Sequence, residues 1–312
     1  MVEAGTTLEA LQQIVQEAPA GSTIELGAGT FLFDGTLFIE RNDITIRGSG
    51  IGQTIIESTL TGAEAAPTIQ ISSPSRATPL AQLASSTEVG ATTITLQSTA
   101  DLSVGQKLSI YQANDEAWLQ ASGNGHLLDL PDDLAPEIAA QVQQYIATSP
   151  LREIIVEVTA IDGNAVTLSH ALPYAFDASA AIVSRLNLVH DITLEGFTVQ
   201  SALGIADPML FENSLDEGLG VPTISIQKTT DSSFNNIRVE NSGSVAFSFA
   251  QIFGVTGDGL QAVGSHNKGE QGNGYGFSLS EAFANNFTNL TSLDVRHGLL
   301  FASWSAEHYN DI

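Results

Sequence analysis

Two short segments near the end of the chain carry the residues best suited to chemistry. Arg296 and His297 are adjacent, and His266 and Lys268 precede the glycine-rich segment 269–276. A cation beside an imidazole could neutralise the carboxylate of a uronic acid while the imidazole exchanges the proton on the neighbouring carbon. Lyases and C5-epimerases that act on uronates need both functions. We therefore predict Arg296, His297 and Lys268 as catalytic residues.

Aromatic side chains close to these cations predict a surface for sugar rings. Tyr275 and Trp304 lie within a few positions of the cationic segments, and His266 lies just before Lys268 in the same segment. Aromatic faces provide large apolar contact areas with a polar edge, which suits stacking against a sugar. We predict His266, Tyr275 and Trp304 as substrate-binding residues.

Two of these candidates have a purely structural alternative. His297 is in phase with Leu299 and Phe301, whose side chains should point inward, so His297 could be a buried core histidine. Arg296 could form an ion pair with Asp294. The sequence leaves both interpretations open.

Hydrolysis is less favoured than lyase or epimerase chemistry. A glycoside hydrolase needs two carboxyl groups roughly 5–10 Å apart across the scissile bond. The candidate acids do not fall at matching positions of neighbouring repeats; they are Asp258, Glu270, Glu281, Asp294 and Glu307.

A metal site has little support in the sequence. Asp207, Glu212, Asn213, Asp216 and Glu217 offer the oxygen ligands that Ca²⁺ prefers, but their spacing fits no calcium-binding loop. The histidines lack the spacing of a zinc site. We predict no metal ligands, and the cofactor stays unknown, with Ca²⁺ open.

Composition narrows the class of protein and of partner. The 312 residues are 43% hydrophobic and contain no cysteine, which excludes disulfides, thiolate zinc sites and a cysteine nucleophile. A formal net charge of -25 disfavours nucleic acid and anionic membranes as partners. No apolar run approaches the ~18 residues of a membrane span, and residues 1–9 show no signal-peptide pattern.

The elements that carry these residues begin with a short helix followed by β-rich runs. Thr6 and Glu9 have capping-box spacing, and apolar residues at helical spacing extend to Ala18. Pro19 and Gly21 end the helix. Short alternating runs follow, separated by Gly, Asn or Asp, and they predict strands; they are 22–26, 36–40, 43–47 and 53–57.

Two series of similar segments recur in the second half at steps of roughly 23–40 residues. The first begins at Gly196, Asn236, Gly259 and Asn289, each followed by an apolar residue. The second comprises 222–226, 246–249, 276–279 and 298–301. Periods of this length indicate a solenoid, and two strand positions per period favour a β-solenoid. The helix would then cover the exposed edge of the first coil.

This pattern resembles the pectin-lyase-like family of right-handed parallel β-helices. The matching segments are the cap helix, Gly21-Ser-Thr-Ile-Glu-Leu26, Asp43-Ile-Thr-Ile-Arg-Gly48 and His190-Asp-Ile-Thr-Leu-Glu-Gly196, and the resemblance covers residues 1–72 and 188–312. It implies an all-β chain and an extracellular or cell-surface protein acting on carbohydrate.

Residues 75–187 interrupt the repeat and are predicted to be an inserted β-rich subdomain with one helix, at 136–147. The cap and first coils then span 1–74, and further coils span 188–312. No polar capping segment follows the last repeat, which predicts that the solenoid is truncated.

The function predicted from these observations is binding, with cleavage or modification, of an extracellular polysaccharide by lyase- or epimerase-like chemistry. The alternative is a non-catalytic, secreted or surface-displayed solenoid for adhesion or architecture. The oligomeric state is not predicted.

Overall fold

The computed structural model describes residues 1–60, 66–80, 82–130, 134–215, 221–269, 273–302 and 304–312. These residues form two compact units. The first unit comprises Met1–Ser75, Leu188–Phe301 and Tyr309–Ile312, and the second comprises Arg76–Asn187 and Ala302–His308. The grouping of 302–308 with the second unit was not predicted from the sequence.

The elements in chain order are α1 (Leu8–Glu17), β1 (Ser22–Glu25), β2 (Gly29–Phe33), β3 (Leu37–Ile39), β4 (Ile44–Arg47), β5 (Thr54–Ser58), β6 (Ile69–Ile71), β7 (Thr78–Pro79), β8 (Thr93–Thr95), β9 (Lys107–Gln112), α2 (Glu116–Ala121), α3 (Pro136–Thr148), β10 (Arg152–Asp162), β11 (Ala165–Leu168), β12 (Ile182–Arg185), β13 (Val189–His190), β14 (Ile192–Ser201), β15 (Ile224–Thr230), β16 (Ser233–Ser242), β17 (Phe247–Phe253), β18 (Thr256–Asp258), β19 (Gln261–Ser265), β20 (Tyr275–Phe283), β21 (Asn286–Thr288), β22 (Thr291–Leu293) and β23 (His297–Phe301).

Three faces of parallel strands build the first unit. Face 1 contains β1, β4, the first halves of β14 and β16, β18 and β21. Face 2 contains β2, β5, the second halves of β14 and β16, β19 and β22. Face 3 contains β3, β6, β15, β17, β20 and β23. Because each strand pairs with its counterpart in the next coil, the unit is a parallel β-solenoid.

Alternate side chains point into the solenoid and form apolar rows along its axis. The row on face 1 is Ile24, Ile46, Leu194, Phe234 and Phe287, all buried. The ring of Phe249 on face 3 meets Phe234 and Phe287 edge to face, with ring centroids 5.9 Å and 4.9 Å apart. Phe234 and Phe287 are two coils apart, with Gly257 between them in the row, so the ring of Phe249 links the core across the intervening coil.

The first predicted series of repeats is confirmed in register. Gly196, Asn236, Gly259 and Asn289 occupy one row at the corner between faces 1 and 2. All four have left-handed backbone conformations, with φ of 75°, 50°, 66° and 54°. Glycine and asparagine adopt this conformation at least cost, which explains why they recur where the chain turns.

The second series is confirmed on face 3. Ile224, Phe247, Phe277 and Leu299 pair in one row. The strands β2 and β6 complete the first two coils, and they were not among the predicted runs. The observed period of the solenoid is thus the one that the sequence indicates.

The cap helix α1 lies against the first coil and begins one residue later than predicted. Thr7, not Thr6, is the N-cap, and its Oγ1 accepts a hydrogen bond from the amide of Ala10 at 3.2 Å. The Thr6 hydroxyl instead donates to the carbonyl of Glu3. Leu11 and Val15 are buried against the coil.

The second unit contains an antiparallel sheet in the order β7-β12-β9-β10-β11-β8. The strands β10 and β11 pair from Asp162 to Ala165, so the hairpin turn predicted at 162–164 is confirmed. The unit contains a second α-helix, α2, besides the predicted one, so the prediction of one helix was wrong. Asp115 caps α2 and also forms an ion pair with Arg152 at 2.7 Å.

Within the residues that the structure describes, no helix combines the length and apolar character needed to cross a bilayer.

Candidate functional site

The corner between faces 2 and 3 brings together most of the predicted site residues. Two loops meet there, and we call their described parts, residues 202–215 and 266–269 with 273–274, the corner loops. Asn213 and Asn267 form an antiparallel bridge between them. The Ser214 hydroxyl donates to the carbonyl of His266 at 2.8 Å. The first loop thereby crosses from the coil of β14 to the coil of β19.

Lys268 is buried inside the corner loops. Its side chain is 1% exposed, and Nζ donates to the carbonyls of Asp207 and Pro208 at 2.8 Å and 3.1 Å. The ammonium also lies 4.8 Å from the ring centroid of Phe211, a cation–π contact. These contacts tie the cation to the first loop, so Lys268 positions that loop and does not present its charge to solvent.

His266 lies at the base of the same loops and is half-buried. Its Nε2 is 3.2 Å from the carbonyl of Gly204, which assigns the proton to Nε2 and leaves Nδ1 as the basic nitrogen. Burial lowers the pKa of His266, and the charge of Lys268 lowers it further against the hydrogen bond to Gly204. His266 is therefore neutral at pH 7, and its unprotonated Nδ1 can accept a proton.

Arg296 is held by the second corner loop. Its guanidinium donates to the carbonyl of Gly269, and its backbone amide donates to the carbonyl of Gly274 at 2.8 Å. The ion pair with Asp294 considered as an alternative is not among the ion pairs of the described residues. Gly274 has φ of 79°, and a Cβ there would lie 2.9 Å from the Arg296 Cβ. Only glycine therefore fits this turn.

Tyr275 and His297 form a stacked pair on adjacent coils. They pair in register between β20 and β23, with ring centroids 5.4 Å apart and planes at 21°. His297 is exposed and Tyr275 is half-buried. The alternative of a buried core histidine is therefore wrong: the imidazole packs on Tyr275 outside the core.

Leu299 and Phe301 follow the inward register of the core but are 36% and 45% exposed. Among the described strands, none pairs with the other side of β23, so these side chains lack a covering coil.

Trp304 belongs to the second unit. It stacks on Tyr145 of α3 with ring centroids 5.6 Å apart and planes at 20°. The role of Trp304 in substrate binding stays a prediction.

The acids considered for hydrolysis that the structure describes each have their own surroundings. Asp258 accepts hydrogen bonds from Thr288 and Asn289, and the Asn289 bond, the larger contribution, lowers its pKa. Burial raises the pKa of Glu281, which accepts a hydrogen bond from Gln251 at 2.9 Å. Asp294 occupies a left-handed corner, and Glu307 lies in the second unit. Glu270 lies outside the described residues.

Two of the residues considered as Ca²⁺ ligands accept hydrogen bonds from backbone amides of the corner loops. The Asp207 carboxylate accepts the amide of Met209 at 2.9 Å, and Asn213 accepts the amide of Gly269 at 2.8 Å. Asp216 and Glu217 lie outside the described residues. In the ranges that the structure describes, no three acids or histidines are placed to hold a metal ion.

Sequence reasoning missed two features that bear on binding. The first is the contact of residues 202–215 with Lys268, for which no local pattern exists. The second is the uncharged outer surface of face 3, which shows in the alternation of Ser and Gln with apolar residues in 223–227, 247–249 and 277–280.

No protein-family model and no curated protein sequence matches the chain. Among solved structures, the tailspike protein gp49 from Pseudomonas phage LKA1 superposes with a TM-score of 0.62 at 17% identity, over 96% of this chain and 43% of the tailspike. The tailspike gp61 of Pseudomonas phage phi297 gives a TM-score of 0.61 at 14% identity, over 92% of this chain and 42% of that one.

A third similar structure is the gp54 tailspike of Acinetobacter baumannii bacteriophage AP22, solved in complex with capsular saccharide. Its TM-score is 0.51 at 10% identity, over 92% of this chain and 51% of the tailspike. The chain therefore spans about half, or less, of the length of these proteins. At these identities the similarity concerns the fold. The chain has a right-handed parallel β-helix fold, as the sequence predicted.

Proposed function

We propose that this chain binds a polysaccharide at the corner between faces 2 and 3 and along the outer surface of face 3, in an extracellular or cell-surface setting. The fold is shared with phage tailspikes, one of which was solved with a capsular saccharide bound. Fold alone does not carry a function, so the proposal depends on the site.

The stacked pair of Tyr275 and His297 is the observation that carries the proposal. Neither ring is buried, and the two residues lie on strands that are neighbours in register, so the pair extends along the axis of the solenoid by one coil. Such a platform offers apolar ring surface to a sugar together with polar groups at its edge. The adjacent corner loops are held in place by Lys268 and Arg296, so the platform lies beside a preorganised wall.

The lyase or epimerase chemistry predicted from Arg296, His297 and Lys268 remains a prediction. Both cations donate to backbone carbonyls, and His266 supplies a neutral base on the same corner. These contacts support roles in shaping a binding surface. A non-catalytic solenoid for adhesion is the second function that they fit, since it needs the surface without a free cation.

Replacement of the platform tests the proposal. Tyr275→Ala should weaken binding of the polysaccharide about tenfold, because a stacking contact of roughly 1.4 kcal/mol is lost. The control is Leu32→Ala, an exposed apolar residue on face 2. Titration calorimetry against a panel of purified polysaccharides gives the affinities. Equal affinity of the Tyr275→Ala variant and the parent chain would contradict the proposed site.

The chemistry is tested in the same samples. Incubation with pectate, alginate and a glycosaminoglycan, with and without Ca²⁺, should give a rise in ultraviolet absorbance from unsaturated uronates if the chain is a lyase. A flat absorbance together with measurable binding supports the non-catalytic alternative.

A further inference from the structure

The outer surface of face 3 differs in charge from the other two faces. Its outward rows run in register over four strands, β6, β15, β17 and β20, and their partly exposed members are Gln70, Gln227, Ser248, Ala250, Ser278 and Ser280. Ser225, which pairs with Gln70 and Ser248, is itself buried. None of these side chains carries a charge. The first charged residues on these strands are Lys228 and Glu281, at the bend where face 3 ends.

Faces 1 and 2 carry ionised side chains on the corresponding outward rows. On face 1 the row includes Glu25, Arg47, Glu195 and Asp258. On face 2, Glu57 and Glu240 lie on one row and Arg238 on the next. Face 3 is therefore distinguished from faces 1 and 2 by its uncharged outward rows, although the chain as a whole is strongly acidic.

The cations of the chain are almost all committed to internal contacts. The sequence has 10 Lys and Arg residues. All but two donate to a carbonyl or form an ion pair; those engaged are Arg41, Arg47, Lys107, Arg152, Arg185, Arg238, Lys268 and Arg296. The two without such a contact in the described structure are Arg76, in the second unit, and Lys228, which has Glu281 as its electrostatic partner.

An acidic polysaccharide would gain little from this surface. A polyanion approaching a chain of net charge -25 meets repulsion, and attraction requires unpaired cations close to its carboxylates. A neutral polysaccharide is not repelled by the acidic chain, and it needs no unpaired cations in order to bind. Serine hydroxyls and glutamine amides both donate and accept hydrogen bonds, as sugar hydroxyls do, so the outward rows of face 3 complement a chain of hydroxyl groups.

We infer that the polysaccharide bound at the Tyr275–His297 platform is uncharged, and that its sugar hydroxyls face the neutral outer surface of face 3. This inference rests on the proposed function and narrows it to one class of ligand. An uncharged ligand is incompatible with lyase or epimerase chemistry, because that chemistry requires a uronate substrate.

Binding to polymers of both classes tests the inference. The neutral probes are dextran, galactomannan and arabinan, and the anionic probes are polygalacturonate, alginate and hyaluronate, each at 20 and 300 mM NaCl. We expect binding among the neutral polymers, with affinity changing less than about twofold between the two salt concentrations. Binding of a uronate polymer that weakens steeply with salt would overturn the inference and leave the proposed function intact. Binding of no polymer would overturn the proposed function, and the inference would fall with it.

Two variants that place opposite charges at the same position of face 3 distinguish a neutral from an anionic ligand by the direction in which the affinity changes. For a neutral ligand, Ser278→Lys and Ser278→Asp should lower the affinity by similar factors, because each removes a small hydroxyl and adds a bulky charge. For an anionic ligand the lysine variant would bind severalfold more tightly than the parent chain, and the aspartate variant more weakly. Circular dichroism melting curves for both variants check that each is folded. Opposite signs in the two variants would contradict a neutral ligand.

Discussion

Lys268 is a buried charge whose location is explained by backbone geometry. An ammonium removed from water costs several kcal/mol unless its donors are satisfied. Here two carbonyls from residues 60 and 61 positions earlier accept its protons, and an aromatic ring lies beside it. These contacts offset the cost of burying the ammonium, and they also give hydrogen-bond partners to two carbonyls of an irregular loop.

Glu281 is a half-buried carboxyl group whose loss of water is less well compensated than that of Lys268. Burial is the main cause of its raised pKa, against the hydrogen bond from Gln251 and the charge of Lys228. The folded chain therefore holds the proton more tightly than the unfolded chain. The stabilising contribution of this group is complete below the unfolded pKa of about 4.5 and is lost as pH rises through the folded pKa.

Glu281→Gln should therefore raise the melting temperature at pH 8, and the gain should shrink towards pH 5. The amide removes the cost of a half-buried carboxylate and can still accept the hydrogen bond from Gln251. Thermal unfolding measured by circular dichroism from pH 8 to pH 5 stays above the isoelectric point of about 4.2. Glu240→Gln is the control, since Glu240 pairs with Arg238 on the surface and should give no gain. A gain that is the same at both pH values would show that proton linkage is not its cause.

At the scale of elements, α1 protects the edge of the solenoid through one side chain. The Gln12 amide donates to the carbonyl of Phe38 and accepts the amide of the same residue, both at 2.8 Å. This side chain thereby supplies the two hydrogen bonds that a neighbouring strand would give to β3. Arg41 anchors the other end of the helix by donating to the carbonyls of Val15 and Gln16.

Gln12→Ala should destabilise the first coil by about 1–3 kcal/mol, because two backbone groups of β3 lose their partner. Hydrogen exchange followed by mass spectrometry should show faster exchange at the Phe38 amide. Gln13→Ala is the matched control, since Gln13 bonds only to Glu17 on the exposed side of the helix. Unchanged exchange at Phe38 would mean that helix packing, and not the glutamine, protects the edge.

At the scale of the whole molecule, the dominant electrostatic term is self-repulsion. A net charge of -25 is opposed by few cations, and of these Arg47, Lys107, Arg152 and Arg238 each pair with an acid. Repulsion between like charges favours an expanded chain, and salt screens it as the Debye length falls from about 30 Å at 0.01 M to about 8 Å at 0.15 M.

The melting temperature should therefore rise between 10 and 150 mM NaCl by a few degrees, roughly what 1 kcal/mol gives in a chain of this size. Differential scanning calorimetry at several NaCl concentrations measures it, and sodium chloride is preferred to sulfate because sulfate also strengthens apolar burial. A melting temperature that falls with salt would show that local ion pairs, such as that of Arg47 with Glu195, outweigh the repulsion.

The period of the solenoid and its core residues follow from the amino-acid pattern alone. Strand alternation and corner residues are local properties: an inward Phe or Ile every second position, and a Gly or Asn where φ must be positive, can be read without knowing any partner. This is why the rows through Asn236 and Phe247 were predicted in the correct register.

Only the tertiary structure decided what the site residues do. Lys268 is buried because the loop of residues 202–215 closes over it, and Trp304 stacks in the second unit because the chain leaves the coils at residue 302. The exposure of His297 depends likewise on which strands flank β23. Contacts between distant loops leave no periodic trace in the sequence, since each involves a single pair of residues and no repeat.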